Sequence, residues 1–504
     1  MNNYKLFTSK IMTQQTKKWM QIMKGLALST TVLFLFFACS KPLVEQNAPE
    51  TLRLKASSNG VIDTSLANLT FVTNPVNLNI VMFVPTDNPA LPGYKTRLSQ
   101  LFVHFQDWMH NEMARYGYSS YLGLAKDSAG LVNIIEIPAA GAQADYPYSS
   151  AVSAGKIINE INTYRAAHPS QFSSNNHYLV LLPARTDGDN SQPFYGYGKY
   201  CFAVDNSSMS VNGIPNPSSN YLGGMLHELG HGLNLPHNRA KYVSEEPTLG
   251  TSLMGSGNVS FSKGQPTFLT GSDAAILNRN EVFQPAVATA TPYQAPTYSV
   301  QPQFAIDNSQ QKIFITGNYT SNLPVSEILV YMDPNVNNEG TGANKDYNAV
   351  TWKFAPVSSG VIQGTIDLNE LYYKGNTPYE LKVKLLLQNG YTTSNVYEFN
   401  YVNGLMTTNQ DSVYTYSNAS YAGVKGSFGK GQYTTADLLA KGVTDNSVSS
   451  IKVGANVKVT LYNNDNFTGD SLVVTSSSSY LSTFNDKVSR SEERRVGKEC
   501  RSRW

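Results

Sequence analysis

Short apolar runs alternate with longer segments whose apolar residues recur every three or four positions. "NLNIVMFVP" (77–85), "LVNIIEIP" (131–138) and "NHYLVLLPA" (176–184) are apolar runs bounded by turn residues, which predicts strands. "KTRLSQLFVHFQDWMHNEMARYG" (95–117) and "SAVSAGKIINEINTYRAAH" (150–168) carry apolar stripes at helical spacing. Strands alternating with long helices predict an α/β layer. "PFYGYGKYCFAV" (193–204) is expected to be one irregular strand at a sheet edge, "SSNYLGGMLHELGHGL" (218–233) a helix, and "SDAAILNRN" (272–280) the last helix of a domain spanning 71–285.

The pattern changes after a Pro/Ala/Thr-rich linker at 284–298. "QKIFITGNYT", "VSEILVYMD", "AVTWKFAPV", "GVIQGTIDL", "YELKVKLLLQNG" and "VYEFNYV" read as short strands separated by turn residues. Six short strands in about a hundred residues predict an immunoglobulin-like β-sandwich over 296–403, serving as a spacer or binding platform. The last region is an internal repeat. "YSNASYAG" from Tyr416 and "YNNDNFTG" from Tyr462 both fit Tyr-x4-aromatic-x-Gly, followed by "DNSVSS" (445–450) and "NDKVS" (485–489). Residues 412–489 therefore resemble a βγ-crystallin domain of two Greek-key units. The resemblance implies Ca²⁺ ligands from Asp445, Asn446, Ser449, Asn485, Asp486 and Ser489; hard oxygen donors in a small loop suit that ion, although Asn/Asp/Ser turns also occur without one.

Both termini change how composition is read. "KKWMQIMKGLALSTTVLFLFFACSKP" has lysines before an apolar run too short to span a bilayer as an ordinary helix, the plan of a signal peptide at 1–38. Its end, Phe36-Phe37-Ala38-Cys39, resembles the bacterial lipoprotein box, which implies a lipid on Cys39 and an unpatterned tether over 39–70; ordinary secretion is the alternative. "RSEERRVGKECRSRW" (490–504) back-translates without mismatch to what looks like a sequencing-library adapter read in frame. It is excluded from fold reasoning, and the crystallin-like domain is then expected to lack its last strand. Without the five lysines of the leader and the tail's six basic and three acidic residues, 27 basic and 33 acidic residues remain, a balance of −6 that argues against nucleic-acid binding. Cys201 is the cysteine left over, so no intrachain disulfide is expected; it reads as a small buried apolar residue.

The chemistry concentrates in "HELGHGLNLPH", residues 227–237. On a helix His227 and His231 lie one turn apart and can meet one ion, with Glu228 beside them as a general base. A catalytic Zn²⁺ site needs a third protein ligand. His237 can supply it if the helix stops, and Asn234, which tolerates the left-handed conformation, and Pro236 stop it. Glu245 or Glu246 is the alternative third ligand. The motif resembles HExxHxxGxxH of the metzincin metallopeptidases, with Asn234 at the usual glycine. The resemblance implies a methionine turn, for which Met254 in "SLMG" is the candidate, and Ser256 stands where some members carry a metal-approaching tyrosine. It also implies an edge strand above the cleft that pairs with extended substrate. His104, His110, His168 and His177 lack ligand spacing and read as packed or solvated.

These readings converge on a multidomain chain: a metzincin-like α/β domain, a sandwich and a βγ-crystallin-like domain. The expected function is that of a secreted or surface-anchored zinc endopeptidase hydrolysing extracellular proteins or glycoproteins through zinc-activated water, with Glu228 as base. It would be an outer-membrane or cell-surface lipoprotein of a Gram-negative bacterium, or else periplasmic or secreted. The alternative is a calcium- or glycan-binding surface lipoprotein whose zinc domain is a scaffold.

Overall fold

The computed structural model describes residues 69–188, 192–216, 220–286, 290–336, 346–358, 360–408, 412–454 and 456–495. The leader, Cys39, almost all of the 39–70 tether and residues 496–504 lie outside the described residues. Among the described residues no helix is long and apolar enough to cross a membrane.

The first domain is built on a five-stranded sheet in the order β2-β1-β3-β5-β4, comprising β1 (Asn79–Val84), β2 (Ile134–Pro138), β3 (Tyr178–Pro183), β4 (Phe194–Tyr197) and β5 (Tyr200–Asp205). The first four in that order are parallel and β4 is antiparallel to β5. Period-two alternation divides each strand between two cores. Ile80 and Met82 pack with Leu98, Leu101 and Phe105 of helix α1 (Tyr94–Ala114), whereas Val81 and Phe83 pack with Ala154, Ile157 and Ile161 of α2 (Ser150–Ala167). Parallel strands covered on both faces must be apolar throughout, which is why these runs stood out. The expected single strand at 193–204 is instead a hairpin. Gly198, with φ of 59°, turns the chain, so that β5 is internal and β4 is the edge.

Helix α3 (Tyr221–Gly232) lies on the α1 side, with Leu222, Met225, Leu226 and Leu229 in that core. After it come three short helices, α4 (Glu246–Leu249), α5 (Gly257–Ser262) and α6 (Gly271–Leu277), and a short parallel pair, β6 (Thr251–Ser252) with β7 (Thr267–Phe268). Thr270 caps α6 reciprocally with Asp273, satisfying two backbone donors.

Among the described residues the second region has eight strands. Two more than expected, β8 (Tyr298–Asp307) and β15 (Leu405–Thr408), join β9 (Lys312–Ser321), β10 (Val325–Pro334), β11 (Val350–Phe354), β12 (Val361–Asp367), β13 (Thr377–Leu387) and β14 (Asn395–Val402). They form sheets β12-β9-β8 and β11-β10-β13-β14-β15 around a shared core containing Ile315, Ile362, Val330 and Val383. β8 contains Pro302, which an edge strand tolerates.

The last region packs sheet β17-β16-β19 on sheet β18-β22-β20-β21. Its strands are β16 (Val413–Asn418), β17 (Ala422–Phe428), β18 (Gly431–Tyr433), β19 (Ser450–Val453), β20 (Val457–Asn464), β21 (Thr468–Val474) and β22 (Arg490–Arg495). The two halves repeat in detail. Tyr416 meets Tyr421 at 5.8 Å between ring centroids and Tyr462 meets Phe467 at 5.5 Å, and Gly423 and Gly469 follow at φ of 82° and 78°. The expectation of a missing last strand is corrected: Arg490–Arg495 pairs with both β18 and β20. Its fit is poor chemically. Glu493 is only 2% exposed and its carboxylate lacks a well-formed hydrogen bond.

Candidate metal centre

Helix α3 ends where the sequence requires it to. Leu233 N–H donates to Leu229 O, then Asn234 adopts φ of 72° and Leu235 N–H reaches back to Gly230 O at 2.9 Å. This left-handed turn is one that asparagine adopts more readily than other residues with a β-carbon. The chain reverses beneath the helix and brings His237 to the other two histidines. Their ligand atoms all lie within 4.8 Å of one another, and His231 Nε2 is 2.9 Å from His237 Nε2.

Second contacts fix the tautomers. His227 Nδ1 lies 2.7 Å from Leu253 O and His231 Nδ1 2.8 Å from Leu235 O. A carbonyl only accepts, so both Nδ1 atoms carry the proton and both Nε2 atoms are left as ligands. Burial, with the His231 charge adding to it, holds the His227 imidazole down at about pKa 4, and burial lowers His231 too. Three imidazoles whose ring nitrogens converge are a donor set that fits Zn²⁺. Glu245 and Glu246 are not part of this cluster. Glu245 binds the backbone and side chain of Lys241, and Glu246 accepts from Tyr372.

Met254 is fully buried under α3 against Gly230, where a β-carbon would collide with its sulfur. The residue before it provides the carbonyl that holds His227. A buried strut then ties this turn to the third ligand: Asn238 N–H donates to Met254 O at 3.3 Å, Ser252 Oγ donates to Asn238 Oδ1, and Asn238 Nδ2 donates to Asp273 Oδ1 at 2.7 Å.

Glu228 points toward the edge strand. Burial pushes its carboxyl up to about 7, partly offset by the Gly196 N–H that hydrogen-bonds it. A β-carbon at Gly196 would lie 2.9 Å from Glu228 Oε2, so a side chain here would displace the carboxylate from its place against β4. Pro193 O accepts from Val204 N, so by alternation Tyr195 and Tyr197 bond toward β5 while Phe194 and Gly196 present their backbone groups to the open edge.

A polar cavity of about 410 Å³ is lined by Arg239, Thr251, Ser256, Tyr347, Asn348 and Tyr373 among others. Ser256 is in this wall, and a tyrosine reaches the centre from elsewhere. Tyr347, carried by the segment leading into β11, stacks on His237 with ring centroids 3.7 Å apart and planes 25° apart. Sequence reasoning missed Tyr347, Gly196, Asn238 and Asp273. Only the glycine had a local signal, as a break in a strand-like run.

Cys201 is buried and free. His110 stacks on Tyr121, His168 stacks on Tyr164, and His177 is buried between Gly232 O and the Tyr293 hydroxyl. In the last region the repeat brings the oxygen-bearing residues together in crossed pairs. Ser449 Oγ donates to Asp486 Oδ1 at 3.0 Å and Ser489 Oγ to Asn446 Oδ1 at 3.4 Å. Asp445 and Asn485 each hydrogen-bond the neighbouring residue, Asn446 and Asp486.

A helix bearing two histidines and a glutamate against a mostly parallel sheet, completed by a third histidine, defines an α/β protein with a histidine cluster that could hold a metal ion. The chain is similar to wild-type OgpA from Akkermansia muciniphila, with 30% identity, a TM-score of 0.60 and coverage of 69% of this chain and 100% of that one. It is equally similar, at 30% identity and the same TM-score and coverage, to a catalytically inactive OgpA in complex with an O-glycopeptide substrate, glycodrosocin. The chain belongs to the family of OgpA. Over 72 residues it is also 39% identical to Development-specific protein S of Myxococcus xanthus, which is 14% of this chain and 42% of that protein. The chain thus spans less than half the length of the curated relatives it matches. No protein-family profile matches it.

Proposed function

We propose that this chain is a zinc-dependent endopeptidase acting on O-glycosylated proteins. The observation that carries the reading is Glu228 held beside three converging imidazoles, directly under an open strand edge. A Zn²⁺ ion bound there would supply Lewis-acid polarisation of a peptide carbonyl and of water. The residues of the chain supply the rest. β4 offers the outward backbone groups of Phe194 and the Gly196 carbonyl to an extended peptide, which would add as a further strand. Glu228, held beside the histidines, can take a proton and return it to a leaving amine. The polar cavity, whose wall includes the Tyr347 that stacks on His237, has hydroxyl, amide and guanidinium groups that suit a sugar better than an apolar side chain. Kinship with OgpA, solved with an O-glycopeptide substrate, supports the same class of substrate here.

As part of this reading, the two-sheet region is an immunoglobulin-like module. The last region is βγ-crystallin-like and binds Ca²⁺ through the crossed Asn446/Ser489 and Ser449/Asp486 pairs, and the protein is exported and anchored through Cys39. The scaffold alternative is less favoured because Glu228 is present and poised.

The test is digestion of a synthetic O-glycopeptide and of its sugar-free counterpart by the full chain, read by mass spectrometry. Cleavage of the glycosylated form is expected, falling about 100- to 10,000-fold in Glu228→Gln with zinc content unchanged. Equal cleavage of both peptides would remove the glycan requirement, and no cleavage by zinc-loaded wild type would remove the peptidase.

A further inference from the structure

We infer that the sandwich is part of the metal centre, with Tyr347 as the positioning residue for the third ligand. His227 and His231 are fixed by helix α3 and by carbonyls of their own domain. His237 follows the helix in irregular chain, where no secondary structure sets its rotation. What lies flat on its ring is Tyr347, at 3.7 Å between centroids. Aromatic rings at this distance restrict tilt and translation of one another.

Tyr347 can hold His237 only if its own backbone is fixed relative to residues 237–240, and four contacts do this. Arg239 N–H donates to Ala349 O at 2.8 Å, Arg239 Nη1 donates to Asn348 Oδ1 at 2.9 Å, and Tyr372 OH donates to Ala240 O at 2.9 Å. The Arg239 guanidinium also lies 3.5 Å from the centroid of the Tyr372 ring. On the other side, Asp346 is held by Lys382 Nζ, which is bound in turn to buried Asp333 at 3.0 Å. The tyrosine is therefore clamped from both domains. Partners outside the first coordination sphere commonly contribute about 10- to 100-fold to metal affinity by holding a ligand in its bound orientation.

This inference rests on the three histidines holding a metal and is independent of whether the protein cleaves anything. The test is zinc affinity of the full chain, by competition with a chromophoric chelator, together with the visible absorption of the Co²⁺-loaded protein. Tyr347→Ala is expected to bind zinc about 10- to 100-fold more weakly and to shift the Co²⁺ bands, with metal-free melting unchanged. Tyr347→Phe, which keeps the ring, is expected to restore both. Wild-type affinity in Tyr347→Ala would overturn the inference, as would a Phe variant as weak as the Ala variant, because the stacked ring would then not be what acts. Should the Ala variant fail to fold, Tyr347→Leu, which keeps most of the volume without a flat ring, is read by the same criteria. A wild type that binds no metal would instead remove the metal site itself.

Discussion

The sandwich meets its two neighbours in opposite ways. Against the α/β domain it contributes Leu329, Tyr331, Ala349 and Leu386, all fully buried, to the same core that holds Met225, Leu253 and Leu277. Against the crystallin-like region it offers polar contacts: Lys452 Nζ to Glu398 Oε1 at 2.6 Å and Glu380 Oε1 at 3.9 Å, and Asn395 Nδ2 to Ser476 Oγ at 3.0 Å. The core of that last region draws only on its own residues, from Val413 to Val488. An apolar boundary cannot be opened without exposing surface that must then be hidden, whereas a polar one is re-solvated by water. The first boundary therefore makes one folding unit, and the second joins two.

The largest effect should come from cutting at each boundary. A chain ending at 285 strips the cover from the apolar face around α6 and is expected to be insoluble or to melt without cooperativity. A chain ending at 408 is expected to keep the wild-type melting transition of the first two domains and their zinc affinity. Comparing the two by calorimetry checks this, and a well-folded 285 fragment would dissolve the distinction. Next is Glu493, whose carboxyl burial raises to about 8, an effect that Ser491 beside it only partly offsets. A raised acid is protonated in the folded state while the unfolded state has already ionised, so stability falls as pH rises from about 4.5 to 8. The slope is at most about 1.4 kcal/mol per pH unit. Glu493→Leu should abolish that decline in the crystallin-like transition and leave the other transition unmoved; an unchanged pH profile would count against burial of the charge. The smallest effect is at the polar boundary itself. A double-mutant cycle of Lys452→Met with Glu398→Gln is expected to give about 1 kcal/mol or less, diminishing in salt. A larger coupling would place that boundary in the same class as the first.

The sequence was most informative where function or burial follows from adjacency along the chain. Strands buried on both faces announced themselves as unbroken apolar runs, and α1 as a stripe. His227, Glu228 and His231 share a helix, and the turn that returns His237 could be derived from Asn234 and Pro236. What was hidden depends on folding at a distance. Tyr347 lies some 110 residues beyond His237, in a segment with no distinguishing pattern. Asp273 looks like an ordinary helix cap until Asn238 is seen against it. The hairpin of β4 and β5 was read as one strand because two aromatic-rich strands joined by a glycine leave one apolar run. β8 was obscured by Pro302, which counts against a central strand but not against an edge.

Asn234 also does something that a glycine at its place could not. Its side-chain amide hydrogen-bonds the Tyr293 hydroxyl, which itself lies 2.8 Å from His177 Nε2 and accepts from the Glu281 backbone N–H. His177 Nδ1, in turn, lies 2.6 Å from the carbonyl of Gly232, two residues before the turn. The chain thus leaves the helix and is caught again within a few ångströms of where it left. A residue that bends the main chain while closing such a circuit takes mechanical slack out of the bend, and a single hydrogen atom in its place would supply the bend and leave the slack.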